Sequence, residues 1–293
     1  MGFSRNLLLA IAASTYVTQT ALAIDDDECS GTLDEIREKR LEFNSTKTAA
    51  FEPTPGDPWL FTLGLSDWRK EGFMWGDYES SQHIETFLSV PNGIANGERA
   101  NETRVCIYMM DGQNATANDG NKSGHSCNGI LSDECQKALR SIKRPADGTC
   151  PDPPVSVKET CNQYVLYQSA TPQVYDNANC STPALPGVSL PGGYKTFPVM
   201  GTGLFPSDNP IDSYELYGLR VRQPIPFLFT MEFYNNKTLT TATELLCVAP
   251  NEVMKGSRKP EGDFPPNAAS GLDTKGAVML AIGVWSVMGL LLG

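Results

Sequence analysis

The chain has 293 residues, 40% hydrophobic and 19% charged, too apolar for a disordered protein and too polar for one that crosses a membrane many times. Acidic residues (34) outnumber basic ones (23), and the net charge of −11 argues against nucleic acid or anionic lipid as a partner. Two histidines, His83 and His125, exclude any site that needs three.

Arg5, the apolar run Leu7 to Ala13 and the close Ala21-Leu22-Ala23 form a charged region, an apolar region and an A-x-A cleavage site. Residues 1–23 therefore read as a secretory signal peptide, because the apolar run is far shorter than the roughly 20 residues of a membrane span. An acidic start, Asp25 to Glu28, precedes Thr32-Leu33-Asp34-Glu35, which fits a capping box. Leu33, Ile36, Leu41 and Phe43 then give partial helical spacing up to Asn44. Phe51 to Pro58 reads as turn, and Trp59 to Leu65, His83 to Val90 and Thr103 to Met110 as strands. Ser132 is placed to cap a helix from Asp133 to Ile142. A Pro-rich stretch, Pro145 to Pro154, leads to a strand at Asn162 to Gln168, and Pro172 to Pro210 reads as loop. Tyr214 to Arg222, Ile225 to Tyr234 and Leu239 to Val248 suggest three strands of an antiparallel meander.

Lys255 to Pro266 reads as a short stalk. Beyond it lie the small residues Asn267-Ala268-Ala269-Ser270-Gly271, a polar stretch with Asp273 and Lys275, and the uncharged run Gly276 to Gly293. That is the pattern of glycosylphosphatidylinositol (GPI) attachment, with Asn267 as the expected attachment residue and Ala269 or Ser270 as alternatives. A transmembrane helix is the other reading of the tail, without the Lys/Arg-rich flank that marks a cytoplasmic end. The expected layout is a signal peptide (1–23), a β-rich ectodomain (24–254), a stalk (255–267) and an attachment propeptide (268–293). The fold expected is mainly β (α+β), antiparallel and disulfide-stapled, one domain with two short helices. A break near Pro145 to Pro154 would make it two.

Eight cysteines fall in the ectodomain: Cys29, Cys106, Cys127, Cys135, Cys150, Cys161, Cys180 and Cys247. An even number in a secreted chain implies disulfides, and their spacing matches no common zinc motif. Cys127 and Cys135 are placed to close a local loop, and Cys247 to tie the last strand to something upstream. N-x-S/T sequons at Asn44, Asn101, Asn114, Asn121, Asn179 and Asn236 mark expected glycosylation.

No motif for catalysis is complete. Gly124-His125-Ser126-Cys127-Asn128 begins like a nucleophile elbow but closes on Asn, and an elbow needs a strand before it and a helix after it. Asp111, Asn114, Asn118 and Asp119 offer oxygens without EF-hand order, so neither a metal nor another cofactor is expected. His83, in a strand-like run, reads as a packing or surface residue. Glu71, Asp77, Trp75 and Tyr78 mix acids with aromatic rings and are the candidate ligand contacts, with core or surface anchoring as the alternative for the tryptophans. Signal peptide, Cys-stapled ectodomain, sequons and GPI tail together resemble the GPI-anchored surface glycoproteins of filamentous fungi. The chain lacks the long Ser/Thr-rich stalks of wall adhesins and the cysteine spacing of small fungal haem-binding modules. The resemblance implies a protein on the outer face of the plasma membrane, or passed on to the wall, that binds a glycan, wall polymer or protein. An anchored carbohydrate-active hydrolase using paired carboxylates is the alternative.

Overall fold

The computed structural model describes residues 32–38, 41–69, 79–115, 125–146, 148–161, 165–176, 180–202, 205–207, 212–235 and 237–265. In chain order the elements are α1 (Thr32–Arg37), β1 (Ser45–Thr54), β2 (Asp57–Trp68), β3 (Ser80–Pro91), α2 (Asn92–Ala95), a 3-10 turn (Ala100–Glu102) and β4 (Arg104–Met110). There follow α3 (Asp133–Arg140), α4 (Val155–Cys161), β5 (Val165–Gln168), β6 (Tyr194–Gly201) and β7 (Phe205–Ser207). The last are α5 (Glu215–Arg222), β8 (Ile225–Asn235), β9 (Thr238–Val248) and β10 (Glu252–Val253).

Two sheets result. The first runs β10-β1-β2-β3-β6, with β7 sharing the β3 edge, and the second runs β5-β4-β8-β9. Among the described residues every pairing between these strands is antiparallel. Strand alternation turns Trp59, Phe61, Leu63 and Leu65 of β2 to one side, and Phe227, Phe229, Met231 and Phe233 of β8 to meet them. Ring centres lie 4.7 Å apart for Phe61–Phe227, 4.9 Å for Phe61–Phe229 and 5.0 Å for Trp59–Phe233. Burying each such side chain contributes about 1.5–3 kcal/mol, so this ring layer holds the sheets face to face.

Each sheet is also covered on its outer face, which explains the apolar runs where a half-solvated sheet would alternate. Cys106, Tyr108 and Met110 of β4, with Leu228, Leu245 and Cys247, lie under α3 and α4. Disulfides Cys106–Cys150, Cys127–Cys247 and Cys135–Cys161 staple that cover in place. On the other sheet Phe87 is covered by Leu41, Phe43 and Leu185, and the Phe43 ring lies where Gly64 has no side chain.

The mainly β, antiparallel, disulfide-stapled architecture is therefore present, and several expected details are corrected. Cys127 pairs with Cys247 rather than with Cys135, because α3 carries Cys135 toward α4 and Cys161. The expected tie of β9 to an upstream cysteine is this Cys127–Cys247 bond. The first helix stops at Arg37: Leu41 and Phe43 leave the helical path to reach Phe87. The expected turn from Phe51 is strand as far as Thr54, where Pro55-Gly56 reverses the chain with Gly56 at φ 87°. The expected loop before Pro210 contains β6 and β7. Tyr214 to Arg222, expected as strand, is the helix α5, so the meander reduces to the β8–β9 hairpin. Helices number more than two, since α2, α4 and α5 join α1 and α3. Ser132 caps α3 as expected, accepting from the Cys135 amide at 3.2 Å.

α5 closes one end of the sandwich by inserting Tyr217 and Val221 between the sheets. The ends of β2 and β4 and the start of β8 meet there, where Arg69 donates to the Ser213 carbonyl (2.6 Å) and Gln113 to the Pro224 carbonyl (2.7 Å). At the opposite end Asn235 ties to Asp57 at 3.0 Å, and Arg99 lies 3.5 Å over the Tyr234 ring.

Candidate functional site

Alternation along β3 puts His83, Glu85 and Phe87 on the outer face of the first sheet. His83 Nε2 lies 3.3 Å from Glu85 Oε1, with side chains 18% and 9% exposed. α1 closes over the pair: the Thr32 hydroxyl donates to Glu85 Oε1 at 3.2 Å. Across the sheet, Gly201 stands opposite Glu85, and a Cβ there would come within 3.1 Å of both His83 and Glu85. The Trp68 ring meets the imidazole edge-on at 6.1 Å.

Burial dominates the electrostatics. It pushes the Glu85 carboxyl up to about 7, with the Thr32 hydroxyl opposing and the charge of Glu35 adding to the rise. His83 is pushed below its ordinary value by the same burial, against its hydrogen bond to the Thr202 backbone and the charge of Glu35. Glu85 thus keeps a proton that a free carboxylate would lose, and His83 sheds one that a free imidazole would hold. Shifts in these opposite directions bring the two proton affinities together, so the pair can exchange a proton near neutrality. Glu85 is not among the residues that sequence patterns single out. Its one signal there is a His-x-Glu pair on one face of a strand that is otherwise uncharged.

A second polar group joins four segments beside this face. Asn44 accepts from the Asp67 amide (2.6 Å) and donates to the Ser257 hydroxyl (3.3 Å). Asp67 in turn takes Gln82 (2.8 Å) and Arg69 (2.7 Å). At the β6 edge Gln173, Val174, Tyr175, Cys180, Phe197 and Pro198 line a cavity of about 260 Å³. Arg220 is half-buried beside Asp111, and burial raises the Asp111 carboxyl while the guanidinium opposes the rise.

The expected ligand contacts Glu71, Trp75, Asp77 and Tyr78 lie outside the described residues, as do Cys29, the signal peptide, Asn121, Asn179, Asn236, Asn267 and the tail. Cys180 is disulfide-bonded. Asn101 and Asn114 are exposed, whereas the Asn44 sequon is built into the fold, with Ser45 and Thr46 buried behind it. Ser126 accepts from the Asn128 amide and sits in an irregular segment next to a disulfide, not on a strand-to-helix turn. Among the described residues no group of three His, Cys, Asp or Glu side chains is placed to hold a metal, and no helix is long and apolar enough to cross a membrane. No protein-family model, no curated protein and no solved structure matches the chain.

Proposed function

We propose that the protein is an extracellular glycoprotein held on the outer face of the plasma membrane by a GPI anchor, and that its β-sandwich binds a glycan, wall polymer or protein partner without turning it over. The observation that carries the compartment is covalent: three disulfides hold the cover of the second sheet, and such bonds persist in oxidising surroundings. The exposed sequon asparagines Asn101 and Asn114 support the same reading. Binding is favoured over catalysis because the pair best placed to move a proton, His83 and Glu85, lies under α1. A general acid must come within hydrogen-bond reach of the substrate.

One observation favours the hydrolase alternative. Burial raises the Glu85 carboxyl to about 7 and Glu35 is near enough to act on it, and glycosidases likewise work with two neighbouring carboxyls in unlike surroundings. The test is to offer the purified protein an array of wall polysaccharides, glycans and chromogenic glycosides, scoring retention and hydrolysis on the same ligands. Retention without turnover is the expected result. Turnover abolished by Glu85→Gln would replace this reading with the hydrolase.

A further inference from the structure

The run leading toward the expected attachment residue does not leave the domain as a free stalk. After β10 it lies back over α5. The Tyr217 hydroxyl donates to the Arg258 carbonyl at 2.9 Å, and Arg222 donates to the Gly262 carbonyl at 2.8 Å. The Arg222 guanidinium lies 5.2 Å from the centre of the Phe264 ring. Arg258 stacks 4.2 Å over Tyr214, a ring that also carries Arg69 at 3.7 Å. Tyr217 is itself part of the inter-sheet core, so these contacts fix the run to the rigid body of the domain.

Between Phe264 and Asn267 the sequence has only Pro265 and Pro266. Three Cα-to-Cα steps reach at most about 11 Å, and the two proline rings restrict even that. Charge does not oppose a close approach. The run carries Lys255, Arg258 and Lys259 against Glu261 and Asp263, in a chain whose net charge is −11.

We infer that the α5 end of the sandwich, with residues 255–264 laid over it, is the face held against the phospholipid headgroups of the outer leaflet, while the end formed by the Pro55-Gly56 turn, Lys237 and Ala100–Glu102 is presented outward. The inference rests on the anchor reading above and adds the orientation of the domain on its membrane. Asn101, exposed on the 3-10 turn, projects a glycan away from the bilayer. Asn114 follows Gln113 at the rim of the α5 end, so a glycan there, like the glycan of the anchor itself, acts to hold this face off the lipid.

The test is amine footprinting of the full-length protein on phosphatidylcholine vesicles. The reagent is an amine-reactive ester carried on bulky polyethylene glycol, read by mass spectrometry. Lys255 and Lys259, exposed on the run, are compared with Lys237, 85% exposed at the far end. The reference is the same protein freed by phosphatidylinositol-specific phospholipase C or by nitrous acid, which cuts the anchor's glucosamine–inositol link. Lys255 and Lys259 lose most of their labelling in the anchored form and regain it on release, while Lys237 labels equally in both. A flexible Gly/Ser spacer inserted after Pro266 restores their labelling without release. Equal labelling of all three lysines in anchored and released protein, or protection that survives the spacer, overturns the orientation alone. A protein that neither reagent releases overturns the anchor, and the orientation falls with it.

Discussion

Replacing His83 or Glu85 singly exposes a proton that folding moves between them. Glu85 has its folded value near 7 against an ordinary 4.5. The folded state therefore binds more protons than the unfolded one between those limits, and stability is lost as pH rises from about 4.5 to about 7. His83 is depressed from 6.5, so its contribution has the opposite sign: it is present above about 6.5 and lost as pH falls below. Where the windows overlap, folding takes a proton from the imidazole and gives one to the carboxyl, so the two slopes oppose each other. This pair therefore contributes less pH dependence in the wild-type protein, where its two members oppose each other, than in either single variant. In His83→Gln the raised Glu85 carboxyl remains, because burial and the charge of Glu35 raise it and neither depends on His83. That variant loses stability with rising pH, by up to about 3 kcal/mol, since each tenfold change in proton affinity is worth about 1.4 kcal/mol. Glu85→Gln keeps only the histidine and gains stability as pH rises toward 6.5. Urea unfolding followed by tryptophan fluorescence over about pH 5 to 8 reads all three proteins. Parallel pH profiles for wild type and both variants would contradict this assignment of the two protons.

Gly64→Ala would drive a Cβ into the Phe43 ring, and an overpacking cost of about 1–3 kcal/mol should appear as a lower urea midpoint with unchanged slope. The cysteine pairs enclose sequence separations of 120, 44 and 26 residues. Loop-closure entropy ranks their loss at about 5, about 4 and about 3.5 kcal/mol, so of these three double variants Cys127→Ala/Cys247→Ala should be the least stable in urea. Glycopeptide mass spectrometry should find sugar on Asn101 and Asn114 and none on Asn44, whose amide group is hydrogen-bonded to Ser257 and Asp67. A glycan on Asn44 in folded protein would contradict the packing described around it.

The ring layer is legible in the sequence because β2 and β8 carry long apolar runs, Trp59 to Leu65 and Ile225 to Phe233, that only a doubly covered strand can use. β1 is less visible. Apart from Phe51 and Pro53, its residues Ser45 to Thr54 are small or polar, and they become strand by pairing with β2 along nearly their whole length. β6 hides behind Pro198, which would break a central strand but here follows a register shift against β3, where an edge tolerates it. α5 alternates like a strand on paper. Its Tyr217 and Val221, one helical turn apart, both enter the core, and tertiary burial decides its conformation over local pattern. The cysteine count announces disulfides, whereas the partners depend on α3 and α4 folding over β4 and β9, a long-range arrangement that spacing does not encode. Glu85 is inconspicuous for a related reason. A single acid in a strand becomes chemically distinctive only when α1 covers it and His83 lies beside it.

Attachment by a lipid anchor is decided at the mature C-terminus. Protein purified from membranes should be digested and its last peptide sequenced by mass spectrometry. An anchored protein yields a peptide ending at Asn267, or at Ala269 or Ser270, carrying ethanolamine phosphate. A mature protein that still contains the uncharged run Gly276 to Gly293 would rule out the anchor and leave a transmembrane segment in its place.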